Sequence, residues 1–336
     1  MQEAQFWAKE GAGTGTVRCS LCSHRCSIRD GKGGLCGVRW NRGGTLFTTA
    51  VGKVIARHVD PIEKKPLYHF LPGSRSYSVA TAGCNFRCAF CQNWEISQFR
   101  TEGLDLPGEP LEPEQAAAEA LRHGCRSVSY TYTEPTIFFE YAAEIARAAR
   151  ARGLKNVFVT NGYQTPEAVA AMTGLIDAAN VDLKSFRDAF YRETCKARLE
   201  PVLETIRGMC KASIHVEVTT LLVTGMNDSD AELRDAAGFL ASVSPDLPWH
   251  VSRFHPDYKT LDLPPTPVER LRRASEIGRE AGLRYVYVGN VPGLDQDTHC
   301  PSCGRVVVRR LYMGVESMDL EGDRCPGCKT RIPIIL

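Results

Sequence analysis

The sequence predicts an α/β fold built on a parallel sheet, preceded by a cysteine-rich metal-binding segment and followed by a small cysteine-rich module. Three observations predict this. Strand-like and helix-like patterns alternate regularly over residues 77–290. Eleven of the fourteen cysteines fall into three short-spaced groups. Glycine, proline and reactive side chains gather where the predicted strands end. The expected division is 1–76, 77–290 and 291–336.

Residues 1–76 are rich in glycine and loops, with one strand-like piece over 46–59. Strands are then expected at 77–81, 127–132, 156–160, 180–183, 215–223, 249–254 and 284–288. Runs such as NVFVT are short, apolar and bounded by turn residues, as parallel strands buried on both faces should be. Helical patterns lie between them. The helix at 112–123 has Pro113 near its start and Gly124 just beyond its end, the asymmetry that helix termini favour. The helix at 136–152 is rich in Ala, Glu and Arg and stops at Gly153. Helices at 165–176, 186–196, 199–211, 230–242 and 267–281 complete the set. Such alternation over about 200 residues implies a parallel sheet, open or closed into a barrel. Residues 291–336 return to short strands between paired cysteines.

Composition narrows the function classes. The chain is 336 residues long, 43% hydrophobic and 24% charged, with a formal net charge of +2. No single-signed field points to nucleic acid or to an anionic membrane. The first residues lack a basic region followed by an apolar run, and no stretch approaches the roughly 18 apolar residues of a membrane span. The expectation is a cytoplasmic protein that binds neither membrane nor nucleic acid. Without a secretory signal, clustered cysteines read as metal sites rather than disulfides.

Folds of this kind place their chemistry at the C-terminal ends of strands. Here those ends read Ala82-Gly83-Cys84, Thr133-Glu134-Pro135, Asn161-Gly162, Asp182-Leu183-Lys184, Thr224-Gly225 and His255-Pro256. In one sheet they would converge on one mouth. Cys84, Cys88 and Cys91 form C-x3-C-x2-C directly after a strand. Soft thiolates select zinc, copper(I) or iron–sulfur clusters. A structural zinc takes four protein ligands and most [4Fe–4S] clusters take four cysteines. Three local thiols with no fourth nearby suggest an open iron that binds a substrate or cofactor. A zinc knuckle with a distant fourth ligand is the alternative.

The spacing, the preceding strand and the aromatic Phe90 resemble the signature of the radical S-adenosylmethionine (SAM) superfamily. The resemblance implies a partial (β/α)6 TIM-type barrel over 77–290 and a [4Fe–4S] cluster on Cys84, Cys88 and Cys91, with SAM on the fourth iron. It further implies reductive cleavage of SAM to a 5′-deoxyadenosyl radical, which takes hydrogen from a substrate. Tyr132-Thr133-Glu134-Pro135 stands where the family has a Gly-Gly-Glu-Pro-like motif, without either glycine. Asp182-Leu183-Lys184 matches the DLK motif of pyruvate formate-lyase activating enzyme, and Phe254-His255 resembles its Tyr-His motif. SAM contacts are thus implied for Phe90, Gln92, Tyr132, Thr133, Glu134, Asn161, Asp182, Lys184 and His255. A nearer resemblance is to the radical SAM component of the AmmeMemoRadiSam system. It is carried by LCSHRCSIRDGKGGLCGVR, TAGCNFRCAFCQNWEISQ, YTYTEPT, NVFVTNGY, NVDLKSF, WHVSRFHPDYK and the terminal CPSC. It implies Memo-like and AMMECR-like partners, and the superfamily implies a low-potential flavodoxin or ferredoxin donor. Each residue also has a plain reading. Glu134 could serve a helix N-terminus, Asp182 and Lys184 could form a structural ion pair, and His255 and Asn161 could be turn residues.

The flanking cysteines read separately. Cys300-Pro-Ser-Cys303 and Cys325-Pro-Gly-Cys328 stand 21 residues apart with VVVRRLYM between them, the spacing of a closed zinc ribbon, with rubredoxin-like iron as the alternative. Cys19, Cys22, Cys26 and Cys36 suffice for zinc or for a second iron–sulfur cluster. His24 and His299 are expected to be bystanders. Cys125, Cys195 and Cys210 are expected to be packing residues, with Cys195 close enough to the DLK strand to contact substrate. The expected function is radical SAM catalysis of the activating-enzyme type, oxidoreductase or transferase, on a small molecule or a partner protein. A non-catalytic iron–sulfur or zinc scaffold or electron carrier is the alternative.

Overall fold

The computed structural model describes residues 1–11, 13–98, 105–311 and 313–336. Its centre is an eight-stranded sheet. β1 (Ala56–Pro61) runs antiparallel to β2 (Arg75–Ala80). Parallel to β2 follow β3 (Ser127–Tyr130), β4 (Lys155–Thr160), β5 (Ala178–Asp182), β6 (His215–Leu222), β7 (Trp249–Arg253) and β8 (Val286–Gly289). Spatial order equals chain order, with β1 and β8 at the two ends. The sheet therefore draws on residues before 77. The strand-like piece at 46–59 resolves into Thr45–Thr48, Lys53–Val54 and β1, and only β1 joins the large sheet.

Helices cross between the strands: α1 (Pro113–Arg122), α2 (Phe139–Arg150), α3 (Pro166–Met172), α4 (Glu200–Lys211), α5 (Asp230–Val243) and α6 (Val268–Glu280). Their starts are chemically marked. Pro113 and Pro166 occupy the first turn, where a missing N–H costs nothing. Thr165 and Ser229 hydroxyls accept from the amides of Ala168 and Glu232. The expected helix over 186–196 is instead a short turn, Asp188–Phe190, running into a π-helical turn, Tyr191–Cys195. The last carbonyls of such a segment have no intrahelical partner, and those of Thr194 and Cys195 are used at the site below.

Strand alternation sends Tyr77, Val79, Val128, Tyr130 and Phe158 into the large core that includes the helices. On the other face Val157, Val159 and Ala178 pack against Ile62, Leu67, Phe70 and Leu71, from the segment between β1 and β2. That segment plugs the face away from the helices. Buried Glu217 of β6 anchors it, accepting from the amides of Tyr68 (3.0 Å) and His69 (2.7 Å) and contacting His215 (3.0 Å) and His250 (2.7 Å).

The C-terminal module is a small antiparallel sheet of Thr298–His299, Val306–Leu311 and Gly314–Met318; residue 312, within the predicted VVVRRLYM run, lies outside the described residues. It leans on the plug: Arg310 donates to the Tyr68 carbonyl (2.7 Å), and Ile335 exchanges backbone bonds with His69 and Leu71. Among the described residues no helix is long and apolar enough to cross a membrane.

Candidate active site

β2 leads into the first cysteine loop through Gly83, whose φ of +104° suits glycine. The loop is clamped from two sides. The amides of Arg87 and Ala89 donate to the carbonyls of Cys195 (2.9 Å) and Thr194 (3.1 Å), at the end of the π-helical turn. Asn161, just past β4, donates from Nδ2 to Asn85 Oδ1 at 2.7 Å. Cys84, Cys88 and Cys91 thereby line one cavity of about 480 Å³ together with Phe90 and Gln92. Burial raises the Cys84 and Cys91 thiols, and contact with Cys195 together with burial raises Cys88. As free thiols all three are neutral at pH 7, so only a bound metal centre makes this a site of thiolates.

The other strand ends meet this loop across the cavity. Tyr132, Thr133 and Glu134 follow β3, Asn161 follows β4, and Asp182 with Lys184 ends β5. Tyr132 holds φ at +64°, the left-handed backbone that glycine favours, at a cost of about 1–2 kcal/mol. Two contacts hold it there: its hydroxyl donates to Asp60, and its carbonyl accepts from Asn93 Nδ2 at 3.0 Å. Asp60 is held in turn by Lys64 (2.9 Å) and Lys65 (2.6 Å), and both lysines also line the cavity. Sequence reasoning missed this trio, because the plug segment carries no motif and lies outside the predicted sheet.

Glu134 is 1% exposed. Its Oε1 accepts from the Thr136 amide (3.0 Å), the Thr136 hydroxyl (2.5 Å) and the Thr160 hydroxyl (2.7 Å), and its Oε2 from the Asn161 amide (2.8 Å). It therefore does cap the turn at Pro135–Phe138. It also faces the cavity, and among the described residues no Lys or Arg ion pair neutralises it. Lys184 Nζ stands 2.9 Å from Asp182 and 5.9 Å from the Phe90 ring centre. Burial opposes charge on Lys184, but the Asp182 carboxylate beside it holds its ammonium well above the usual range. His255 is exposed and does not line the cavity, but its Nε2 stands 2.9 Å from the amide nitrogen of Gln92, which does. Cys195 is fully buried behind Cys88 and does not line the cavity.

The chemistry is thus a soft three-thiol cradle, a buried carboxylate held by hydrogen bonds without an ion pair, an anchored lysine and an aromatic ring around one space. A match to the Radical SAM superfamily spans residues 78–240, covering β2 to most of α5. The chain belongs to the radical SAM superfamily. An uncharacterized protein of Methanocaldococcus jannaschii is 43% identical to this radical SAM chain over the full length of both. The benzylsuccinate synthase activating enzyme of Thauera aromatica is 24% identical over 147 residues, 42% of this chain and 44% of that one. The crystal structure of Streptococcus suis SuiB bound to S-adenosylmethionine superposes with a TM-score of 0.51 at 15% identity, over 68% of this chain and 52% of that one, which shows the shared fold. The chain is a radical SAM enzyme related to activating enzymes, and its residues fit the family's cofactors. Three thiols without a fourth in the cavity wall suit a cluster with one open iron. The Thr219 hydroxyl, also in the wall, has no partner among the described residues.

The flanking cysteines part company. Among the described residues Cys300, Cys303, Cys325 and Cys328 form the only group of three or more potential metal ligands whose donor atoms all lie within 4.8 Å of one another. Sulfur separations of 3.4 Å (Cys300–Cys328) and 3.6 Å (Cys303–Cys325) suit one ion. His299 is outside that group and pairs with Asp295 at 3.0 Å. Cys19, Cys22, Cys26 and Cys36 line a separate small cavity that His24 also borders. Cys125 is buried and Cys210 half-buried.

Proposed function

We propose that Cys84, Cys88 and Cys91 ligate three irons of a [4Fe–4S] cluster, and that this enzyme abstracts hydrogen from a substrate of the activating-enzyme kind: a partner protein or a small molecule. The observation that carries this is the convergence of the three thiols and three further strand ends on one cavity. A cluster held by Cys84, Cys88 and Cys91 would, with SAM bound, supply the electron for reductive SAM cleavage and so for hydrogen abstraction from the substrate. The chain's own residues bind and orient. Glu134 offers a desolvated carboxylate to the SAM ammonium. Phe90 presents a ring to the adenine, and Asn161 steadies both the cluster loop and the adjacent turn. Asp182 and Lys184 hold each other against the SAM carboxylate and ribose, with Tyr132 and Thr133 forming the facing wall. Gln92 and His255 stand at the exposed rim, where substrate enters. Burial of the remaining wall excludes water from a reactive radical.

In this reading the sheet of 77–290, extended by β1, is a partial (β/α)6 TIM-type barrel. Residues 1–76 carry a further metal centre, zinc or iron–sulfur, on Cys19, Cys22, Cys26 and Cys36. Residues 291–336 form a zinc-ribbon-like module. The near-whole-chain likeness to the AmmeMemoRadiSam radical SAM component supports a cytoplasmic role beside Memo-like and AMMECR-like proteins, with a flavodoxin or ferredoxin as donor.

The test is anaerobic electron paramagnetic resonance of the reduced protein with and without SAM, paired with assay of 5′-deoxyadenosine. A SAM-shifted [4Fe–4S]⁺ signal, lost in Cys84→Ala, Cys88→Ala or Cys91→Ala together with 5′-deoxyadenosine, is expected. Undiminished reductive SAM cleavage by the triple variant overturns the reading. Radical formation on a partner's glycine would identify a protein substrate; stimulation by a metabolite alone would identify a small molecule.

A further inference from the structure

Four thiols stand away from the catalytic cavity with a buried cation beside them. Cys19, Cys22, Cys26 and Cys36 line one small cavity, closed on the side of the sheet by Thr136 and Ile137. Arg39 lines the same cavity and is 2% exposed. One of its terminal nitrogens serves the Gln5 carbonyl and Glu140, the latter at 2.9 Å. Among the described residues its Nε and its other terminal nitrogen have no partner. Unmet guanidinium donors are costly at this depth, and an anionic thiolate–metal group in the cavity would satisfy them.

Sulfur spacing says which group. Around one zinc at about 2.3 Å per bond, tetrahedral sulfurs stand about 3.8 Å apart, and the C-terminal four come close to this. The N-terminal four are not drawn together in that way, and neither are Cys84, Cys88 and Cys91. Thiolates that each bind a different iron of a cluster stand farther apart than thiolates sharing one ion. The N-terminal site therefore groups with the catalytic loop, not with the zinc-like module.

The two thiol segments also touch. A Cβ on Gly83, the residue before Cys84, would lie 3.2 Å from the Cys36 carbonyl oxygen, so a glycine there lets the backbones meet. Arg87 ties the Leu35 carbonyl (2.5 Å) to that of Cys84 (2.6 Å). His24 Nε2 stands 2.8 Å from the Asn85 carbonyl. On the outer side Leu35 is 60% exposed, flanked by exposed Arg29 and Lys32. We propose that Cys19, Cys22, Cys26 and Cys36 hold a second [4Fe–4S] cluster, with Arg39 donating to it, and that this cluster is the entry point for the electron used at the first. The entry role rests on the radical SAM reading; the presence of the cluster does not. A reduced flavin or iron–sulfur donor protein loses one electron to the second cluster, which passes it to the first; no bond or proton moves in the transfer.

The experiment uses the full chain reconstituted anaerobically, with flavodoxin as donor and dithionite as comparison. Expected are about eight irons and about one zinc per chain, and two reduced cluster signals of which only one shifts with SAM. Cys22→Ser/Cys26→Ser should lose about half of the iron and the SAM-insensitive signal. It should keep the SAM-shifted signal and dithionite-driven 5′-deoxyadenosine formation while losing the flavodoxin-driven reaction. A wild-type content of about four irons and about two zincs overturns the second cluster, whether or not the variant folds. Equal losses with both reductants overturn the entry role. Absence of any SAM-shifted signal would sink the radical SAM reading instead, with the iron count still deciding this one.

Discussion

Lys184 shows how one residue of the site is poised. It is buried enough to lose solvation, yet Asp182 at 2.9 Å keeps it charged. A charge held in that way can serve a ligand's anionic groups without reorganising. Lys184→Met should leave iron content and the reduced cluster signal unchanged, since the residue is no ligand. It should cut 5′-deoxyadenosine formation by about tenfold or more, the worth of a hydrogen bond to a charged group. Full activity in Lys184→Met would mean that the pair is only structural. The Asp-Leu-Lys spacing was legible in the sequence because both side chains fall on one face of a strand end. The strained Tyr132 and its support by Asp60 were not, because a left-handed tyrosine leaves no composition signal.

At the scale of elements, the turn after β4 joins fold to site. Gly162 has φ at +72°, and a Cβ there would lie 2.7 Å from Val181 and 3.0 Å from Val202. Gly174 has the same φ with nothing within 4 Å. Gly162→Ala should therefore destabilise by about 2–4 kcal/mol, strain plus overpacking, and Gly174→Ala by only about 1–2 kcal/mol. Denaturant midpoints check this, and equal losses would mean that the steric account of Gly162 is wrong. Short parallel strands and capped helices were readable from local period and turn residues. The break at 186–196 was not: the amides of Arg87 and Ala89, more than a hundred positions earlier, hold the carbonyls at the end of this segment, a contact that no local pattern encodes.

The whole molecule is pinned at the plug, where the sheet and the C-terminal module meet. Burial pushes His69 down to about 3, and hydrogen bonds and nearby charge from His215 and His250, acting against burial, hold Glu217 well below the usual carboxylate range. Both effects have the same sign. As pH falls below about 6.5 the unfolded chain protonates His69 while the folded chain does not, until pH approaches about 3; Glu217 adds to the loss below about 4.5. Stability should thus decline from pH 7 to pH 5, and His69→Asn should flatten that decline. A denaturant midpoint that is constant over this range in the wild type would show that the plug is not the acid-sensitive joint.

Local spacing by itself determined the alternating α/β order, the three thiol groups and the strand-end motifs, because each depends on neighbours a few residues apart. Only the tertiary structure brought Lys64 and Lys65 to the cavity with Asp60 holding them, set Cys36 against Gly83 and seated the C-terminal tail on the plug. Those contacts join segments distant in the chain. They arise from how a sheet, its plug and its flanking modules close together, and such closure leaves no periodic trace along the sequence.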